Sequence, residues 1–89
     1  MTVKEYNAVR HAAYVAAMES EDVRNAFTTN DIVWIFEVTE GDKHKIFALS
    51  AETQMHMGLL HSEGFSLNAR VHLQMFLDRK TKCATFCGF

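Results

Sequence analysis

The stretch from Phe65 to Arg79, FSLNARVHLQMFLDR, constrains this chain more than any other. Its odd positions are all apolar up to Leu77: Phe65, Leu67, Ala69, Val71, Leu73, Met75 and Leu77. Its even positions are polar except for Phe76. A repeat of two places one set on each side of a β-strand, whereas a helix scatters both sets around its axis. Leu, Ala, Arg, Gln and Met favour helix in isolation, but propensity is a weak prior against so long an alternation. The segment predicts a strand. Its odd face forms a core wall, and its even face carries Arg70, His72, Gln74 and the exceptional Phe76.

A second strand is predicted over Ile32–Glu40, where Trp34, Phe36 and Val38 alternate with the equally apolar Val33 and Ile35. Apolar residues on both faces mark a central strand. Gly41-Asp42 follows, and glycine at the first loop position suits a type II′ hairpin. That turn pairs Glu40 with Lys43, Val38 with Lys45, Phe36 with Phe47 and Trp34 with Leu49. Large apolar pairs then share one face, and opposite charges meet beside the turn.

Helices occupy the remaining lengths. Thr2-Val3-Lys4-Glu5 fits a capping box, so a helix begins there and covers most of 3–27, with a break near Ser20. Its alanines (8, 12, 13, 16 and 17) make it slim enough for close packing on a sheet or for a self-association seam. Thr28–Asp31 is a polar loop. Ser50 reads as the cap of a helix over Ala51–Ser62, with Gly64 as its stop. Arg79–Lys82 is a charged turn, and Lys82–Phe89 a last strand. An even loop there sets Ala84 and Phe86 opposite apolar residues of the long strand. The expected fold is α+β in the order helix–hairpin–helix–hairpin: one four-stranded antiparallel sheet with helices mainly on one face.

Eighty-nine residues make a single domain, 1–89, of marginal core size. The formal net charge of −2 argues against a non-specific nucleic-acid binder, which needs many cations to neutralise phosphates. No run of about 18 apolar residues exists to cross a membrane, and no basic leader precedes an apolar core. Cys83 and Cys87 on one strand would stand about 13 Å apart, too far for a disulfide, which suits a reducing cytoplasm.

No catalytic pattern emerges. Cys-x3-Cys is not a zinc spacing, and the five histidines fit no ligand motif. Met55-His56-Met57 hints at soft-metal chemistry, but methionines filling a core beside a solvated histidine account for it. A Cys87–His72 pair is conceivable in one register of the last hairpin. The glycines are too scattered for a phosphate loop. No cofactor and no metal are expected.

One constellation remains. With helices on the Trp34, Phe36, Phe47, Leu73 and Met75 face, the other face carries Val33, Ile35, Ile46, Ala48, Phe76, Cys83, Cys87 and Phe89. Arg70, His72 and Gln74 form a stripe beside them. Such a half-apolar face is an interface or a ligand site, unless the N-terminal helix packs on it. The candidate binding residues are Arg70, His72, Gln74, Phe76, Val33 and Ile35. The expected function is a small non-catalytic binding protein that self-associates, as a dimer, and acts on a protein partner, as an inhibitor or phage-type accessory protein does. The alternative is a binder of an anionic metabolite or nucleotide. A cysteine- or metal-dependent enzyme and nucleic-acid binding stand behind both.

Overall fold

The computed structural model describes residues 1–51 and 54–87. The elements are α1 (Val3–Ala17), α2 (Glu21–Ala26), β1 (Ile32–Glu40), β2 (Lys43–Leu49), α3 (Met57–Ser62), β3 (Arg70–Asp78) and β4 (Cys83–Phe86). The strands form one antiparallel sheet in the order β2-β1-β3-β4, so the fold is α+β.

Local chemistry explains most boundaries. The Glu5 N–H donates to the Thr2 hydroxyl at 3.1 Å, starting α1. The Arg24 guanidinium donates to the Met18 carbonyl at 2.7 Å and satisfies the end of α1 where the chain turns into α2. The β1–β2 hairpin has the register that the turn dictates, with Phe36 opposite Phe47 and Trp34 opposite Leu49. Gly41 has φ +59° and Asp42 does not share it, the type II′ signature. A Schellman motif ends α3. The Gly64 N–H reaches His61 O and the Phe65 N–H reaches Leu60 O, both at 2.9 Å, with Gly64 at φ +85°. The connection Arg79–Lys82 has even length and sets Ala84 opposite Leu77 and Phe86 opposite Met75.

The long alternation folds differently from its pattern. The strand begins at Arg70, not Phe65. The Glu40 carboxylate takes the Ser66 N–H at 3.0 Å and the Ser66 hydroxyl as well, and a turn follows at Leu67–Asn68. Phe65 drops into the core, and Leu67 is left in solvent. Within β3 the register on β1 skips Gln74, with Ile35 facing Met75 and Phe36 facing Leu73. This β-bulge reverses the alternation. Leu73 lies on the sheet face of Phe36, whereas Met75 and Leu77 lie on the face of Val33 and Ile35. The odd residues are thus divided between two faces.

The helices lie mainly on one face, as expected, but on the opposite face to the one expected, and α3 with Phe65 covers the other. Tyr14 of α1 with Val23 and Phe27 beside α2 pack on Val33, Ile35, Leu77 and Ala84. Leu60 of α3 and Phe65 pack on Phe36, Val38 and Phe47. The larger helical layer therefore lies on the Val33 face, not on the Trp34 face. The helix expected over 51–62 shrinks to Met57–Ser62, apart from Glu52 and Thr53, which lie outside the described residues. Met55 must pack against the Phe36 cluster, and His56 caps the shortened helix with Nδ1 accepting the Leu59 N–H at 3.2 Å. Positions 88 and 89 of the expected last strand also lie outside the described residues.

Candidate functional site

A sheet has two edges, and an unprotected edge offers a row of unpaired backbone donors and acceptors. The two edges here differ sharply. At β4 the chain covers part of its own edge. Arg10 Nε donates to Ala84 O at 2.7 Å, Arg10 Nη2 reaches Thr85 Oγ1 at 3.3 Å, and His11 Nδ1 lies 2.8 Å from Lys82 O. Helix α1 is therefore clasped along that strand.

At β2 the edge is open. In a two-residue hairpin the closing pair Glu40–Lys43 exchanges both backbone bonds, so Lys43, Lys45, Phe47 and Leu49 point their backbone groups at β1. His44, Ile46 and Ala48 point theirs outward. Among the described residues no hydrogen bond reaches these outward groups. Only the far end is closed, by Asn30 Nδ2 donating to Ser50 O at 2.7 Å.

Lysines commonly guard such edges. Those of β2 are turned away from it. Lys43 Nζ donates to Glu63 O at 2.7 Å, at the C-terminal end of α3, and lies 4.6 Å from the Phe65 ring centre. Lys45 Nζ pairs with Glu63 Oε2 at 2.6 Å. Beside the C-terminal half of β2 runs a groove of about 470 Å³. Asp22, Asn25 and Ala26 of α2 wall one side, and Leu59 and Glu63 of the α3 region wall the other. Beyond α2, toward the hairpin tip, Ile46 stands 43% exposed on the strand.

The residues singled out from sequence are dispersed. Val33 and Ile35 are core residues beneath α1 and α2, at 0% and 3% exposure, and present no surface. Arg70 and His72 are exposed and stand opposite Thr39 and Glu37. Gln74 Nε2 donates to Glu37 Oε2 at 2.7 Å, and His44 Nε2 approaches the same oxygen at 3.3 Å. Phe76 belongs to the opposite face, its ring 5.2 Å from that of Trp34. Arg70 and His72 therefore do not converge with Phe76 and Trp34 on one ligand. The Cys87 N–H donates to Gln74 O at 2.7 Å, so Cys87 stands opposite Gln74 rather than His72. Both cysteines are free. Among the described residues no trio of His, Cys, Asp or Glu is grouped to hold a metal, and no helix is long and apolar enough to cross a membrane.

The β2 edge is what the sequence reading missed. Strand order depends on pairings distant in sequence, and hydrophobic patterning does not record them. One signal was present: Lys43 and Lys45 are two lysines inside a strand, a composition typical of edges. Compared with known protein families, curated proteins and solved structures, the chain matches none of them.

Proposed function

We propose that this chain is a small non-catalytic binding protein that acts by protein–protein interaction, with the outer edge of β2 as its docking element. One observation carries the reading: Arg10 and His11 take two backbone carbonyls along β4, whereas the outward groups of β2 have no partner among the described residues. Addition of a strand to such an edge is a recurrent mode of recognition, in which main-chain bonds supply affinity and alternate side chains supply specificity. Self-association and occlusion of a partner protein, as by an inhibitor or accessory protein, both follow from that mode.

The test exploits proline. The Ile46 N–H points outward, so Ile46→Pro removes an edge donor without removing a bond to β1. Immobilised wild-type protein is expected to retain a specific protein, its own free copy included, from an extract of its host, and Ile46→Pro is expected to lose it. Retention of nothing, or retention unaffected by the proline, would sink the proposal.

A further inference from the structure

We infer that the occupant of the β2 edge is a second copy of this chain, docked antiparallel about a two-fold axis through Ile46. The inference rests on the reading of β2 as a docking edge and names what docks there. Three observations converge on this register.

The first is backbone pairing. His44, Ile46 and Ala48 are the outward residues. Only a register that sets Ile46 opposite Ile46 of the partner subunit, and His44 opposite Ala48 of the partner subunit, engages every one of their N–H and C=O groups. Centring the axis on Lys45 or on Phe47 leaves a third of them unpaired.

The second is charge. Centring on Lys45 would oppose two ammonium groups directly, which is destabilising. Centring on Ile46 instead sets Lys45 opposite Phe47 of the partner subunit and Lys43 opposite Leu49 of the partner subunit. Each lysine also brings its own counter-group, since both are tied to Glu63. The exposed Ile46 is then covered by its own copy.

The third is shape. Helix α2 walls only the C-terminal half of β2, along Ala48 and Leu49. The hairpin tip lacks such a wall on that face. Antiparallel docking brings each slim tip into the walled half of the other edge, with the two α2 helices at opposite ends of the seam. The product is one continuous eight-stranded sheet.

Light scattering over a dilution series is expected to give twice the chain mass at high concentration. Ile46→Pro is expected to give the single-chain mass. Ile46→Lys serves as a second variant, because it opposes two lysines at the axis while facing its own Glu37. Circular dichroism and thermal unfolding confirm that each variant is folded. Cross-linking reads the register, in a background with Cys83 and Cys87 replaced by Ala. Directly opposed residues of a bonded pair lie about 5.5 Å apart at Cα, within disulfide reach. Ile46→Cys is expected to give a covalent dimer on oxidation, in several-fold excess over Lys45→Cys. A monomeric wild type overturns the second copy as occupant, even where a host protein is still bound in an Ile46→Pro-sensitive way. A dimer indifferent to both Ile46 variants, or cross-linking that favours Lys45→Cys, overturns it equally.

Discussion

At the residue scale, two carboxylates tie distant segments together. The Asp31 carboxyl is held below its ordinary range chiefly by its hydrogen bond from Arg79. The Glu40 carboxyl is held below its range by the hydroxyl and N–H of Ser66. A lowered folded value means that the unfolded chain takes up protons first as pH falls. The stability these groups contribute is whole above the ordinary carboxylate range and lost as pH drops through the folded values. Thermal unfolding followed against pH should therefore show an acid limb, and Asp31→Asn with Glu40→Gln should flatten it. Two backbone positions give opposite predictions. Lys82 is a non-glycine residue with φ +56°, and Lys82→Gly should raise stability by about 1 kcal/mol in urea titrations. Gly64 has φ +85°, and an added Cβ would meet Lys43 Nζ, the group that bonds Glu63 O. Gly64→Ala should cost about 1 kcal/mol or more, measured in the same way.

At the element scale, the bulge in β3 is the decisive feature. Hydrophobic alternation reads a strand correctly but counts every residue as one step. Gln74 breaks that count, because two residues of β3 there answer one of β1. The exceptional Phe76 was the legible trace. It is apolar because its side of the strand, beyond the bulge, stacks on Trp34 instead of facing water. Removing Gln74 makes Leu73 and Met75 sequence neighbours, and neighbours in a regular strand already face opposite sides. Deletion of Gln74 should therefore leave the protein folded, with its bonds to Glu37 and to the Cys87 N–H lost. Deletion of Met75 should unfold it or nearly so, because Gln74 would then occupy the half-buried Met75 position beside Ile35. Circular dichroism and calorimetry on the two deletions decide this. A folded Met75 deletion with an unfolded Gln74 deletion would overturn the account.

At the scale of the whole molecule, two thin cores share one sheet, and neither is large. Phe65 is 2% exposed and joins α3 to Phe47 and Val38. Phe65→Ala should cost about 3–5 kcal/mol, a large part of the stability of a domain of this size, as read by urea denaturation. The chain's own sequence determined the capping of α1, the type II′ hairpin with its register, the glycine stop of α3 and the even-length last turn. Each depends on residues a few positions apart, where backbone stereochemistry and short hydrogen bonds decide the outcome. It did not determine which helical layer covers which face, how the long alternation divides at Gln74, or where Val33 and Ile35 lie. Nor did it determine that β2 and β4 are the edges and that Arg10 covers part of one of them from 74 residues away. Those outcomes are decided only when distant segments compete to bury the same apolar surface and to satisfy the same backbone groups, and that competition takes place in the tertiary structure.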